Sequence, residues 1–234
     1  MVNESTKRTE LLYKLAPPWY HSRFDDFRSI FTNAPEKTYK KNEIIYVQGD
    51  MNHYIYFIVE GRVRMSLFDQ AGNEKSVIIL NPGSIFGENC ALERQPALVT
   101  TTTNTPCRIA FIHRNDFLEK IFKDRNLNER LIYNLTGKLN AMIKHIKEIS
   151  FMNANERIMT YLYKLSEVYG HDTDRGRKIT IKFTHQEMAD LSGISRVSVS
   201  NIMTLLDKAG TISKTDGYYY INNVEHLKEW IKEE

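Results

Sequence analysis

Residues 184–206, THQEMADLSGISRVSVSNIMTLL, contain two short amphipathic segments and the turn that joins them. Thr184 followed by Glu187 is the capping-box pattern, in which each side chain satisfies the other residue's backbone N–H, and it predicts a helix starting at Thr184. Ala189 is small where two helices must cross closely, and Gly193, four residues on, suits a turn that reverses the chain. Ser195 is the residue type that caps a helix, predicting a second one to about Lys208. Val199 and Ile202 would then pack back on Met188 and Ala189. Alanine, glycine, a β-branched residue and isoleucine at relative positions 1, 5, 11 and 14 make up the helix-turn-helix pattern. An ordinary helical hairpin would share single residues of it but not the combination.

Such a motif places its second helix in the major groove, with the first residues on base edges. Arg196 is the candidate for direct readout, because a guanidinium pairs bidentately with guanine O6 and N7. Ser198, Ser200 and Asn201 are placed to reach bases or phosphates, and Val197 offers only an apolar contact to a thymine methyl. Thr184, His185 and Gln186 open the first helix, where phosphates are usually met. Charge alone does not point to DNA. The formal net charge is +3, and from residue 153 onward there are 11 Lys/Arg against 12 Asp/Glu.

Upstream, the periodicity is different. Residues 35–112 read as short strands broken by turn chemistry, which argues for a small all-β barrel or sandwich. Segments 55–60 and 62–68 are rich in Val, Ile, Tyr and Phe, and Glu60-Gly61 between them predicts a tight hairpin turn. Ala71-Gly72-Asn73 is the next hairpin, leading to a strand at 75–80. Asn81-Pro82-Gly83 then breaks the chain, and two further strands fit 98–103 and 108–112. From Leu127 the pattern changes again. Leu127, Leu131, Leu135, Leu139, Met142, Ile146 and Ile149 are spaced 4, 4, 4, 3, 4 and 3, one apolar stripe close to the 3.5-residue repeat of a coiled coil. A long helix with so narrow a seam predicts pairing with a second copy through Leu131, Leu135, Leu139, Met142 and Ile146. Asn153-Ala154-Asn155 reads as a hinge, residues 157–169 as a helix and 170–176 as a loop. A hairpin around Asp216-Gly217 and a helix at 224–232 close the chain.

Composition excludes several classes. With 234 residues, 41 % hydrophobic and 26 % charged, the chain is that of a globular protein, long enough for two domains. Its apolar runs are far too short to span a bilayer, and residues 1–10 lack the apolar core of a signal peptide, so a cytoplasmic location is expected. Two cysteines, Cys90 and Cys107, cannot supply an iron–sulfur cluster or an all-cysteine zinc site. His21, His53, His113 and His145 are scattered, arguing against haem ligation. His53 and His113, in or beside the β region, are not spaced as the ligand set of a cupin-like metal enzyme. Neither a glycine-rich phosphate loop nor a nucleophile elbow is present. The chain is read as a regulator without a metal or cofactor, and not as an enzyme.

The stretches HYIYFIVEGRVRM (53–65), PGSIFGE (82–88) and THQEMADLSGISRVSVSNIMTLLDKAG (184–210) resemble the cyclic-AMP receptor protein and fumarate–nitrate reduction regulator family. The resemblance runs from about residue 35 to 232. It implies an α+β architecture: an N-terminal β-roll (a cupin-like double-stranded barrel) with an arm over 1–114, a dimerisation helix region over 115–152, and a winged helix-turn-helix over 153–234. It also implies a homodimer on inverted-repeat double-stranded DNA, contact with RNA polymerase, and a small-molecule effector held between roll and dimer helix. Phe86, Gly87, Glu88, Leu98, Thr100, Asn134 and Lys138 are then the expected effector-binding residues. Cyclic-nucleotide binders of the family follow Gly-Glu with an Arg-Ser pair that holds the phosphate. Here the matching stretch is Pro96-Ala97-Leu98, and the family's adenine-contacting Thr-Ser pair is replaced by Met142-Ile143, so cyclic AMP is not expected. Glu88 then reads as a structural hydrogen-bonding residue. Asn134-Leu135-Thr136-Gly137-Lys138 is similar to the helix of the halorespiration regulators, in which a matching lysine favours the phenolate of a chlorinated phenol. A halogenated phenol or similar aromatic anion is the effector this implies, against the plainer reading of Lys138 as solvent-facing.

Overall fold

The computed structural model describes residues 19, 20, 22 and 27–229. The N-terminal arm, His21 and the end of the predicted last helix (230–232) lie outside the described residues. Contacts divide the chain into two compact units with the boundary at Ile143/Lys144.

In the first unit, strands β1 (Trp19–Tyr20), β2 (Glu36–Tyr39), β3 (Ile44–Tyr46), β4 (Tyr54–Glu60), β5 (Val63–Phe68), β6 (Glu74–Leu80), β7 (Ile85–Phe86), β8 (Thr100–Thr103) and β9 (Cys107–His113) form two sheets. Their orders are β1-β6-β5-β8-β3 and β2-β9-β4-β7. The hairpin predicted at Ala71-Gly72-Asn73 joins the antiparallel partners β5 and β6. That predicted at Glu60-Gly61 is corrected: β4 pairs with β7 and β9, and β5 lies in the other sheet. Gly61 does adopt the positive φ expected, at 87°, but the turn carries the chain from one sheet to the other. Local turn chemistry specifies a bend, not which strand the next segment will pair with. The four threonines of β8 are all buried. Two of their hydroxyls accept from neighbouring backbone, Thr100 Oγ1 from the Gln48 N–H at 3.0 Å and Thr103 Oγ1 from the Glu43 N–H at 2.9 Å.

Helices α1 (Glu88–Glu93) and α2 (Arg114–Lys123) follow β7 and β9, and α3 (Arg125–Phe151) is the long helix. The expected single stripe divides in two. Leu127 is buried in a core cluster with Phe27, Phe57 and Phe117, and Leu131 packs partly buried against that cluster. Leu131, expected in the dimer seam, thus lies half-buried against its own core. The exposed seam runs instead through Ile132, Leu135, Leu139, Met142 and Ile146, each 39–61 % exposed and spaced 3, 4, 3 and 4. The spacing of four at the start of the stripe had merged two faces that turn in different directions.

The second unit holds the last two turns of α3, then α4 (Ala154–Tyr169), β10 (Gly170–Thr173), β11 (Gly176–Ile179), α5 (His185–Ser192), α6 (Arg196–Lys208), β12 (Ile212–Thr215), β13 (Tyr218–Ile221) and α7 (Val224–Lys228). Residues 170–176, expected as a loop, are corrected to the edge hairpin of a four-stranded sheet, β10-β11-β13-β12. Its polar edge strand, GHDT, lacks the alternation that marks a strand in sequence. The helix break at 152–153 falls where a hinge was expected, but it is bridged. Asn153 caps α4 through a complete capping box with Glu156, and Arg157 donates to the Ile149 and Met152 carbonyls at 3.0 and 2.8 Å. Lys164 pairs with Glu148, and Tyr161 hydrogen-bonds His145. Burial pushes the Glu148 carboxyl up and the Lys164 ammonium down from their ordinary ranges.

Candidate nucleic-acid interface and effector cavity

The helix-turn-helix is built as its caps predict. Thr184 Oγ1 accepts from the Glu187 N–H at 3.0 Å and Glu187 Oε2 accepts from the Thr184 N–H at 2.7 Å. Gly193 ends α5 at φ 66°, and Ser195 Oγ accepts from the Ser198 N–H to start α6. Val199, Ile202 and Met188 are buried between the helices. Arg196, Val197 and Asn201 are exposed on α6. The other expected contacts are partly committed within the protein. Ser198 bonds Ser195 side chain to side chain at 2.8 Å, and the Gln186 amide donates to Asp190 at 2.7 Å. Both ring nitrogens of His185 are engaged, Nδ1 with Ser200 Oγ at 3.2 Å and Nε2 with the Tyr219 hydroxyl at 2.8 Å. His185 and Ser200, expected to contact DNA, are thus also bonded within the protein.

Sequence reading missed the wing's contribution. Lys214 on β12 donates to the Tyr219 hydroxyl at 3.2 Å, and it lines, with Phe183, Thr184, His185, Gln186 and Arg196, a cleft of about 430 Å³. Lys178 and Lys182 flank the Tyr218 ring, 4.2 and 4.7 Å from its centroid. The lysines and tyrosines near Asp216-Gly217 were a signal available in sequence, and only strand pairing placed them beside α6.

In the first unit, the expected effector residues fall in three places. Leu98 lines a cavity of about 430 Å³ with Tyr46, Gln48, Met65, Cys90 and Gln95 among others. Phe86 is fully buried and stacked on Tyr56 (4.8 Å between centroids), while Thr100 holds the Gln48 backbone, so neither faces that cavity. Of Gly87, Glu88, Asn134 and Lys138, Glu88 and Lys138 are joined directly. Gly87 starts α1 at φ 83° with the Tyr54 carbonyl so close that a Cβ would lie 2.8 Å from it. Lys138 is not solvent-facing: its ammonium pairs with Glu88 Oε1 at 2.5 Å and donates to the Ile85 carbonyl at 2.7 Å. Glu88 thus has the structural role expected of it. The Asn134 carbonyl accepts from the Tyr20 hydroxyl at 3.2 Å. Among the described residues no lysine or arginine lines the cavity, and Glu93 is the one charged group there. Burial raises the Tyr46 phenol well above its ordinary range, so it stays a neutral donor. His53 and His113 lie with their rings 6.3 Å apart, but among the described residues no group of three His, Cys, Asp or Glu is arranged to hold a metal.

Residues 36–124 match the model of the cyclic nucleotide-binding domain, and residues 156–230 that of the Crp-like helix-turn-helix domain. The chain belongs to the cyclic-AMP receptor protein and fumarate–nitrate reduction regulator family. As a member of it, the chain is a DNA-binding transcription regulator with an effector-binding-type β domain. It is 24 % identical over 193 residues to the cyclic AMP receptor protein of Thermus thermophilus, covering 82 % of this chain and 86 % of that one. It is 24 % identical over 190 residues to the CRP-like cAMP-activated global transcriptional regulator of Mycobacterium tuberculosis, covering 81 % and 84 %. CprK complexed with OCPA shares the fold at a TM-score of 0.72, with 18 % identity over 91 % of this chain and 96 % of that one. No described helix is long and apolar enough to cross a membrane.

Proposed function

We propose that this regulator works as a homodimer that reads an inverted-repeat operator, with its affinity set by a small effector taken up in the β-roll beside the long helix. The observation that carries the reading is the exposed heptad seam of Ile132, Leu135, Leu139, Met142 and Ile146. A contiguous apolar stripe of this length is rarely left to water, and its 3-4 spacing suits a second copy of the same helix. Two-fold symmetry then sets the recognition helices on half-sites about one helical turn, roughly 34 Å, apart. Arg196, Val197 and Asn201 are the base readers. Thr184, Gln186 and Lys214 lie toward the phosphates. RNA polymerase is the proposed protein partner, and the cytoplasm the location. In functional terms, 1–114 serves effector binding, 115–152 dimerisation and 153–234 DNA binding.

The cavity is of a size that suits a small organic ligand. Its lining, without a cation, supports an uncharged effector with an apolar or aromatic body over cyclic AMP. Lys138 does not line that cavity and is already paired with Glu88, so a halogenated phenol is proposed to enter neutral or to break that ion pair. Effector binding shifts a population of conformations that differ in the separation of the recognition helices. Repositioning carries the last turns of α3 together with α4, because His145, Glu148 and Ile149 are bonded to Tyr161, Lys164 and Arg157.

Selection of bound duplexes from a random pool, with and without a small-molecule cell extract, tests this. Enrichment of an inverted repeat, dependent on the extract, is the expected result. Failure to enrich a palindrome under either condition at low salt would remove the operator reading. Absence of calorimetric heat with halogenated phenols would remove that class of effector.

A further inference from the structure

Resting on the reading that α6 enters the major groove, we propose that His185 is a positioning residue that couples the wing to the recognition helix and makes sequence discrimination sensitive to acid. The ring belongs to the first residue of α5, yet it touches the other two elements of the interface: Ser200 in the second turn of α6 and Tyr219 on β13. Tyr219 is itself seated by stacking on Phe183, 4.9 Å between centroids, and its oxygen accepts from Lys214 on β12. With that oxygen accepting from Lys214, we assign the Tyr219 hydroxyl proton to Nε2. Nδ1–H then donates to Ser200 Oγ, and a directed chain runs from Lys214 to the recognition helix.

The charged groups around the ring are Arg196 on α6, Lys214 on β12 and, across an adjoining cavity of about 260 Å³, Asp207. Burial first, then the charges of Lys214 and Arg196, holds the imidazole below the ordinary histidine range, so the neutral ring is the form built into the site. Protonation leaves Tyr219's oxygen facing two cationic donors and adds a third positive charge beside Arg196 and Lys214. The wing lysine and the recognition helix then repel a centre that had joined them. A cation added at a DNA surface raises affinity for any duplex, whereas a loosened α6 weakens only the discriminating contacts. The ratio of operator to scrambled-duplex affinity is therefore the quantity that reports the device.

The test is fluorescence anisotropy of the full-length protein on the selected operator and on a scrambled duplex, at pH 8.0 and at about pH 5.5, at constant ionic strength. Wild type is expected to lose about tenfold in the ratio at the acid end, with scrambled-duplex affinity unchanged or higher. His185→Phe should start with the ratio already reduced and show a flat pH profile, and Tyr219→Phe, which keeps the imidazole, should start reduced with a shallower profile than wild type. A native circular dichroism spectrum qualifies each variant, and the wild-type profile stands even if both fail to fold. An acid-independent ratio in wild type, or variants that keep the wild-type slope, would overturn the coupling while leaving the DNA-binding reading intact. Wild type that prefers no operator at pH 8.0 would overturn both.

Discussion

Replacing Lys138 by methionine removes an ammonium while keeping most of the aliphatic stem, and leaves the Glu88 carboxylate at a site where its side chain is 4 % exposed. At their 2.5 Å separation the two charges attract by about 6–7 kcal/mol at an effective dielectric constant of 20. Taking both ions out of water costs several kcal/mol each, so the intact pair adds little net stability. Breaking it is not symmetrical. A buried carboxylate without its partner costs about 3–5 kcal/mol, and the lost bond to the Ile85 carbonyl adds about 1 kcal/mol. Lys138→Met is therefore expected to destabilise by about 3 kcal/mol or more near neutral pH. The double variant Glu88→Gln/Lys138→Met, with no charge left to bury, should recover most of the loss. Urea unfolding followed by circular dichroism reads the difference, as a midpoint shift at constant m-value. Protein concentration must be held fixed, because subunit association would add to apparent stability. A cost under about 1 kcal/mol, or a double variant no better than the single one, would refute the argument and mean that water reaches Glu88.

Gly87→Ala should destabilise by about 1–3 kcal/mol from the positive φ alone, and by more because the added Cβ would meet the Tyr54 carbonyl and the Tyr56 ring at 2.8 and 2.9 Å; an unchanged melting temperature would contradict this. Leu139→Glu should give a folded monomer by sedimentation equilibrium, since the side chain is already largely exposed within one chain; a variant that stays dimeric would move the interface elsewhere. Arg196→Ala should weaken operator binding by about 1–3 kcal/mol and relax preference at one base position. A loss equal on all sequences would instead make Arg196 a phosphate contact.

What was legible in the sequence was what short-range chemistry encodes. Thr184 with Glu187, Gly193 and Ser195 specify their helix ends with partners at most four residues away, and each adopts the expected conformation. The change from strand-like to helical periodicity likewise separates the roll from α3 without any knowledge of contacts. What tertiary structure decided were the pairings between distant residues. β4 turned away from β5 although a glycine turn joins them, because register and partner are chosen by the buried faces of two sheets. Leu131 and Leu135 belong to one stripe in sequence, yet one packs on its own core and the other faces outward, since a few tens of degrees of helix rotation separate the two fates. Lys138 finds Glu88 across 50 residues and His185 finds Tyr219 across 34. Such polar pairs carry no periodicity; the penalty for burying an unpaired polar group selects them only once the fold has brought both partners out of water.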